Sequence, residues 1–280
     1  MPDDDIAIVA VYADTHVNST IGVMPPYTEL QDGGSYRASK EQLWLWRKWN
    51  LFGDTVEALK KELDAELYVV AAGDNVDDPF HPTTRIVSKH KPTILAMAVK
   101  VHERFVQMAD HYFMIRGTNA HTGIDGSLEE MLARDLEAEP DPKTGNASWW
   151  SLYFEAGGVT FDITHHPQTS ARRPWTQHAA AARQSAIIAA QYYEMGMKPP
   201  DVACRAHDHG LLRDSGMSTK PWTFLMRPWQ GTTSFGHRLG VGEYVLPVGG
   251  LIFVCDNGKV SPIDCKYSLP KGRPWKAKKK

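Results

Sequence analysis

Short apolar runs recur along the chain, and a polar stretch containing glycine or proline follows each of them. The runs read IAIVAVY before ADTH, ELYVVAA before GDNVDD, HYFMIRG before TNAHTG and GVTFDI before THHP. Between them, Lys40 to Leu63 and Lys91 to Ala109 are long enough to form amphipathic helices. The repeated order of strand, loop and helix predicts a layered α/β fold, in which ligands gather at the loops that follow the strands.

Length and composition predict a packed fold with one domain. The chain has 280 residues, of which 42% are hydrophobic and 23% are charged, as in an ordinary globular protein. We expect the domain to cover residues 1–270, with an aromatic-rich insertion at about 24–63 and a flexible basic tail at 271–280. A solubilising end, a cloning remnant and an electrostatic contact with nucleic acid are all open for this tail.

Charge and cysteine content exclude several classes of protein. The formal net charge of -2 argues against a protein that coats nucleic acid through a globally basic surface. The three cysteines form no CxxC pair, which favours a reducing compartment. The start MPDDDIAIVAVYADTH lacks the basic segment of a secretory signal, and no apolar stretch approaches the ~20 residues of a membrane span. We therefore expect a cytoplasmic protein without a membrane partner.

Side chains that bind divalent metals are concentrated in the loops after the predicted strands. Two of them, His207 and His209, are two positions apart, a spacing that points both imidazoles to one side of an extended segment. Taken singly, each motif also occurs as a turn or a helix cap, so the metal site rests on their combination. The candidates are Asp14, His16, Asp74, Asp77, Asn119, His121, His165, His166, His207 and His209.

The mixture of nitrogen and oxygen donors indicates the kind of ion. Manganese is our first expectation, with iron, zinc, nickel or magnesium as alternatives, whereas a set of thiolates would favour zinc alone. The donors exceed the needs of one ion. Two divalent ions ~3.5–4 Å apart can hold a phosphoryl group and activate water, which is hydrolytic chemistry without a covalent nucleophile. Seven of the residues would suffice if the two ions shared Asp74.

The five motifs, in this order, resemble those of the calcineurin-like metallophosphoesterases: DxH, GDxxD, GNH(E/D), a lone histidine at a strand end, and GHxH. Here they read DTH, GDNVD, GTNAH, the first histidine of THHP, and AHDH, and they span roughly residues 6 to 210. The stretches DTHVNSTIGVMPP and GTNAH, with the tryptophan-rich segment, further resemble phosphoesterases encoded by bacteriophages and prophages. A phage-encoded protein would be found in the cytoplasm of a bacterial host.

The resemblance implies a fold and a set of ligands. The fold is a four-layer α/β/β/α sandwich, with two mixed sheets flanked by helices. Asp77 would support the ligands from outside, and the HxP form of the fourth motif selects His165 as a ligand and leaves His166 facing substrate or solvent. By similarity, one ion would be held by Asp14, His16 and His209, the other by Asn119, His165 and His207, and both by Asp74.

Two departures from the family pattern affect these expectations. In GTNAH the histidine does not directly follow the asparagine, so His121 is our candidate for the general acid. Alternatively, His121 is the ligand and Asn119 is displaced. Ala206 replaces the glycine of the last motif, a minor change if its backbone is not left-handed.

Arg116, just before the third motif, reaches a phosphate or forms a structural ion pair.

Three tryptophans lie in the first predicted helix. At helical spacing, some of Trp44, Trp46 and Trp49 form a core face. An exposed tryptophan that stacks on a base is the alternative, and it would suit a nucleotide or a single strand. A contact between subunits is also open.

The expected function is hydrolysis of a phosphoester by a metal-bound hydroxide, with His121 protonating the departing oxygen and Asp74 essential. The leading substrate class is phosphodiesters, either nucleic acid or nucleotides. Two alternatives stay open: a phosphomonoesterase or protein phosphatase, and a non-catalytic scaffold that keeps the metal site in a regulatory binding role. The sequence leaves protein partners open.

Overall fold

The computed structural model describes residues 6–80, 85–168, 179–232 and 247–268, and the expected tail at 271–280 lies outside the described residues. The helices are α1 (Lys40–Leu63), α2 (Lys91–Met108), α3 (Asn119–Thr122), α4 (Ser127–Asp135) and α5 (Ala180–Glu194), with a 3-10 turn at Ile124–Gly126. The strands are β1 (Ala7–Tyr12), β2 (Tyr27–Glu29), β3 (Ser35–Arg37), β4 (Glu66–Ala72), β5 (His111–Ile115), β6 (Ser148–Trp149), β7 (Leu152–Ala156), β8 (Val159–Thr164), β9 (Val202–Arg205), β10 (Arg213–Asp214), β11 (Trp222–Leu225), β12 (Val248–Asp256) and β13 (Lys259–Tyr267).

Two mixed sheets organise the chain. The first has the strand order β13-β12-β1-β4-β5-β6, in which β1, β4, β5 and β6 run parallel while β12 lies antiparallel to β1. The second has the order β10-β11-β9-β8-β7, with a parallel centre of β11, β9 and β8. Strands β2 and β3 form a separate hairpin. Parallel strands explain the fully buried run of β1, which has apolar neighbours on both faces.

A core of apolar side chains fills the space between the two sheets. Val9 and Val11 of β1 meet Phe161 and Ile163 of β8 in one buried cluster. The rings of Phe161 and Phe253 lie edge to face, with their centroids 5.5 Å apart. The sheets therefore pack face to face as the two inner layers.

Helices cover the outer face of each sheet. Residues of α1, α2 and α4 pack with the outward side chains of β1 and β4, such as Tyr12 and Val69. On the other side, Ile188 and Tyr192 of α5 pack on Ala203 of β9. This order of layers confirms the predicted four-layer α/β/β/α sandwich. No helix in the described ranges is both long and apolar enough to span a lipid bilayer.

The tryptophans of α1 face the core, as their helical spacing predicted. Trp49 is 2% exposed and packs on Tyr12, Phe105 and Trp229, with ring centroids 4.6 to 5.0 Å away. Trp44 and Trp46 are partly buried against the same cluster. The predicted core packing is confirmed for this helix, which forms part of the outer layer.

Candidate metal centre

The candidate ligands follow strands at one edge of the two sheets. Because β1, β4 and β5 are parallel, the loops after their carboxyl ends lie side by side. Strands β8 and β9 are also parallel and end in register. The loops of the two sheets bring together four overlapping groups, in each of which the ligand atoms lie within 4.8 Å of one another: Asp14, His16 and His209; His16, Asp74 and His121; Asp14, Asp74 and His165; and His165, His166 and His207.

The first group centres on His209. Its Nε2 lies 3.1 Å from Oδ1 of Asp14 and 3.1 Å from Nε2 of His16. The other ring nitrogen of His16, Nδ1, lies 2.8 Å from Oδ1 of Asp77 and donates its proton to that carboxylate. Nε2 of His16 therefore carries a lone pair directed at the space between Asp14 and His209.

A second group consists of Asp74, His165 and His207, which belong to the last two of the four overlapping groups. Nδ1 of His165 donates a hydrogen bond to the backbone oxygen of Ala72 at 2.8 Å, so Nε2 is the nitrogen that carries the lone pair when the ring is neutral. This Nε2 lies 3.1 Å from Oδ2 of Asp74, and Nδ1 of His207 lies 3.9 Å from the same oxygen. Three atoms that can each bind a cation face one another here, an arrangement that a cation between them stabilises.

Several buried atoms of these residues have no hydrogen-bond partner within the described ranges. They are Oδ2 of Asp14, Nε2 of His165 and Nδ1 of His207. Buried polar atoms are nearly always paired, so each such atom requires an explanation. Carboxylate oxygens and imidazole nitrogens are ligands of divalent ions, and coordination would satisfy all three atoms. The residues present therefore fit a divalent-metal centre.

The electrostatics of the cluster favour a positive charge at the same place. Burial disfavours the Asp74 carboxylate, yet the charge of His165 and the close imidazole of His207 hold its pKa well below the usual range. Burial likewise disfavours the His165 imidazolium, but the charges of Asp74 and Asp14 raise its pKa to about 10. A divalent ion would supply this positive charge in place of protons.

Five of the candidate ligands have left-handed backbone. Their φ angles are 55° at Asp14, 43° at His16, 49° at Asp74, 69° at His207 and 45° at His209. This conformation costs a residue other than glycine on the order of 1–3 kcal/mol, and it is concentrated at functional sites. Strain at five positions of one cluster indicates that the ligand geometry is under functional constraint.

The backbone at the last motif corrects one prediction. His207 and His209 do not extend from a straight segment, because the chain turns at both residues. The turns send the two imidazoles to different groups, His207 beside His165 and His209 beside Asp14. Ala206 does not have left-handed backbone, so the replacement of glycine at this position is accommodated without strain.

The third motif places Thr118 where the family pattern predicted Asn119. The backbone N–H of Thr118 donates to Oδ1 of Asp74 at 2.6 Å, and its hydroxyl lies 2.7 Å from Oδ1 and 2.8 Å from Oδ2. Asn119 begins the short helix α3 and is exposed. Asn119 as a ligand stays a prediction, whereas the contact of Thr118 with Asp74 is a feature that the sequence analysis missed.

His121 lies beside the first group. Its Nδ1 is 2.8 Å from Oδ1 of Asp77, the oxygen that also binds His16, and the rings of His16 and His121 meet edge to face at 4.4 Å. Burial lowers the pKa of His121, but the hydrogen bond with Asp77 and the charge of Asp74 have the larger, opposite effect. The pKa of His121 is therefore raised to about 9. Asp77 thus contacts two imidazoles at once, and its role as a support for metal ligands stays a prediction.

Arg116 makes the contacts of a structural residue. Its Nε donates to Oγ of Ser148 at 2.7 Å, Nη1 to the backbone oxygen of Asp125 at 3.1 Å, and Nη2 to Oε2 of Glu130 at 3.2 Å. The ion pair, one of the two alternatives for Arg116, is the one present. A contact of Arg116 with substrate stays a prediction.

His166 points outward from the second group. Its side chain is exposed, and its ring lies 4.9 Å from that of His165 and 4.8 Å from that of His207. Partial burial and the charges of His165 and His207 lower the pKa of His166 to about 4. The neutral imidazole is therefore available to an ion or to a bound molecule.

Glu129 of α4 is a buried residue of the site that the sequence analysis did not find. Its Oε1 accepts the backbone N–H of Asn75 at 2.8 Å, and its Oε2 accepts that of Gly117 at 2.5 Å. Burial and the charge of Asp74 raise the pKa of Glu129 to about 7. One carboxyl group thereby joins the loop after β4, called the second loop, to the loop after β5, called the third loop. No motif spacing in the sequence indicates this role of Glu129.

No protein-family model matches the chain, and no curated protein sequence matches it. Solved structures that match include a single mutant of Vps29 from Entamoeba histolytica, 12% identical, covering 92% of this chain and 98% of that chain, with a TM-score of 0.39. Chaetomium thermophilum Vps29 is 9% identical, with coverages of 95% and 98% and a TM-score of 0.44. Vacuolar Protein Sorting 29 from Cryptosporidium parvum is 13% identical, with coverages of 95% and 100% and a TM-score of 0.38. Because these identities and TM-scores are low, the evidence for the sandwich fold is the strand order of the chain itself. The likeness to phage-encoded enzymes stays a prediction.

Proposed function

We propose that this chain is a metal-dependent phosphoester hydrolase of the calcineurin-like type that cleaves phosphodiesters of nucleic acid or nucleotides. The observation that carries the proposal is the ring of buried, unpaired ligand atoms on Asp14, His165 and His207 around Asp74. Such a ring is costly unless ions occupy it. The order of the five motifs supports the same reaction class.

The residues divide between two ions, for which manganese is the first expectation. Two adjacent divalent ions would neutralise the phosphoryl oxygens and activate water for attack. Asp74 lies between the two groups and would contact both ions. The remaining ligands would be Asp14, His16 and His209 for one ion, and His165 and His207 for the other, with Thr118 or Asn119 completing the second set.

The chain's own groups orient the reaction. The carboxylate of Asp77 binds Nδ1 of His121, which fixes the ring and leaves Nε2 as the nitrogen that gives a proton to the leaving oxygen. The same carboxylate fixes the ring of His16, so that a ligand and the proton donor share one support. Glu129 holds the loops that carry Asp74 and Thr118 at a fixed separation.

We expect substitutions of Thr118 and Asn119 to have different effects on the affinity for metal. Thr118→Val removes the hydroxyl that holds Asp74 and keeps the side chain's shape, so we expect the affinity for Mn²⁺ to fall about 10- to 100-fold, as for other groups that orient a ligand. Asn119→Ala is the matched control and is expected to bind Mn²⁺ as the unmodified chain does. Isothermal titration measures both. The opposite ranking would show that Asn119 moves inward as the ligand.

The reaction class is tested with two chromogenic esters. Protein stripped of metal and refilled with manganese is expected to cleave bis(p-nitrophenyl) phosphate, a diester, faster than p-nitrophenyl phosphate, a monoester. Faster cleavage of the monoester would instead identify a phosphomonoesterase. Absence of turnover with both esters, in protein that binds manganese, would favour the non-catalytic scaffold. The exposed Asn119, which departs from the family pattern, is the observation that keeps this second candidate open.

A further inference from the structure

A groove of about 520 Å³ opens next to the candidate metal centre, on the outer face of the second sheet. Asp162 and Thr164 of β8 line it, and they alternate with Phe161 and Ile163, which face the core between the sheets. The C-terminal end of α5 forms the opposite wall through Gln191 and Tyr192. Its volume lies within the range of ~300–1,000 Å³ that is typical of sites for small organic molecules.

The groove adjoins the metal centre at His166. This imidazole lines the groove, and its ring lies 4.9 Å from the ring of His165 and 4.8 Å from that of His207. His165 is buried on the inner side of the strand end, whereas the next residue faces outward. A molecule whose phosphate lies at the centre would therefore reach the groove by passing His166.

The floor of the groove is polar and contains a buried ion pair. Arg205 is 4% exposed, and its Nη2 lies 2.8 Å from Oδ1 of Asp162, while the hydroxyl of Tyr192 donates to Oδ2 of the same carboxylate at 2.9 Å. Nε of Arg205 has no hydrogen-bond partner among the residues that the structure describes. Because this nitrogen is enclosed by the protein, the polar floor is formed by the ion pair of Arg205 with Asp162 and by the hydroxyl of Tyr192.

The described part of the rim offers paired amide groups and no excess of positive charge. Nε2 of Gln168 donates to Oε1 of Gln191 at 2.8 Å, which places two side-chain amides together at the edge of the groove. Amides present donors and acceptors side by side, as the edges of nucleobases do. Among the lining residues that the structure describes, the charged ones are Arg205, Asp162 and Glu194, so a second phosphate would meet net negative charge from them. The chemistry suits a neutral, polar group with a flat face.

We propose that this groove binds the nucleoside part of the substrate while its phosphate lies at the metal centre. The amides of Gln168 and Gln191 bind the edge of the base, and the imidazole of His166 lies at the passage from base to phosphate. The proposal deepens the proposed function and rests on it for the position of the phosphate. The groove has room for one nucleoside, so it recognises a mononucleotide ester or the terminal residue of a strand.

The test compares two esters that release the same product. Bis(p-nitrophenyl) phosphate has no nucleoside, whereas the p-nitrophenyl ester of thymidine 5′-monophosphate places one beside the same scissile bond. In the double variant Gln168→Ala/Gln191→Ala, kcat/KM for the thymidine ester is expected to fall about 10-fold, the loss of one or two hydrogen bonds. Cleavage of bis(p-nitrophenyl) phosphate should be unchanged. Tyr193→Ala, an exposed residue of α5 outside the groove lining, is the control and should alter neither ester.

The outcomes distinguish a failure of the nucleoside-binding proposal from a failure of the proposed hydrolase activity. An equal effect of the double variant on both esters, with hydrolysis retained, would overturn the groove and leave the proposed function standing. If neither ester is cleaved, titration of the protein with thymidine decides, because a nucleoside needs no turnover to bind. Thymidine affinity that is lost in the double variant and kept in Tyr193→Ala would then support the groove, and equal affinity in all three proteins would overturn it. A short oligothymidylate, cleaved in the same assays, distinguishes a strand end from a free nucleotide.

Discussion

Replacing Asp74 with asparagine is expected to abolish metal-dependent hydrolysis. The substitution keeps the size of the side chain and removes a carboxylate that lies between both groups of ligands, 3.1 Å from Nε2 of His165 and 3.9 Å from Nδ1 of His207. Because residues that merely orient a ligand contribute about 10- to 100-fold, loss of a shared ligand should reduce kcat/KM by more than about 100-fold. Steady-state hydrolysis of bis(p-nitrophenyl) phosphate at saturating Mn²⁺ measures the effect.

Asp125→Asn is the matched control for this experiment. Asp125 also has left-handed backbone, with φ of 55°, but it is exposed and belongs to none of the four groups of candidate ligands. Asparagine tolerates that conformation, so the control should keep both fold and activity. Activity retained in Asp74→Asn, or lost equally in both variants, would remove Asp74 from the proposed centre.

The second large effect is expected at a glycine that has no catalytic group. A Cβ at Gly117 would overlap the carboxylate and the backbone nitrogen of Asp74, and it would lie 2.8 Å from its Cα. Since the backbone of Gly117 is not left-handed, lack of space alone accounts for the requirement. Gly117→Ala is expected to displace Asp74, to lower the free energy of unfolding by about 1–3 kcal/mol, and to reduce Mn²⁺ affinity at least about 100-fold.

Gly210→Ala is the control for this crowding. It follows His209 directly and has no left-handed φ. Among the described residues, a Cβ there would meet only Nη1 of Arg213 at 3.4 Å, an ordinary contact. Thermal unfolding and Mn²⁺ titration of the two variants should therefore diverge. If Gly117→Ala binds Mn²⁺ as tightly as Gly210→Ala does, the close approach of the second and third loops is not required for the site.

Local patterns predicted much of the fold. The helix Lys40–Leu63 has the predicted bounds, because Ser39 and Gln42 form a reciprocal capping box at its start and Asp64 turns left-handed at its end. The strand Glu66–Ala72 also has the predicted bounds, since a buried parallel strand reads as a continuous apolar run. The convergence of the loops follows from parallel strands, whose ends share one edge of a sheet.

The detailed geometry of the site depends on contacts between distant segments. Thr118 contacts Asp74 because Gly117 lets the third loop pass close to the second, and the spacing of GTNAH does not reveal this shift by one residue. The role of Glu129 depends on how α4 packs over both loops. The turns at His207 and His209 are strained conformations that local sequence preferences disfavour. Such features depend on tertiary packing and on the geometry that the site requires, and the hydrophobic periodicity of the sequence indicates neither.

If these loops form a centre for two divalent ions, equilibrium dialysis of stripped protein against Mn²⁺ will detect both of them. The account predicts binding of two Mn²⁺ per chain in the unmodified protein, and a loss of binding in Asp74→Asn that Asp125→Asn does not share. A chain that binds no Mn²⁺, zinc or iron, while its fold is intact by circular dichroism, would contradict the account.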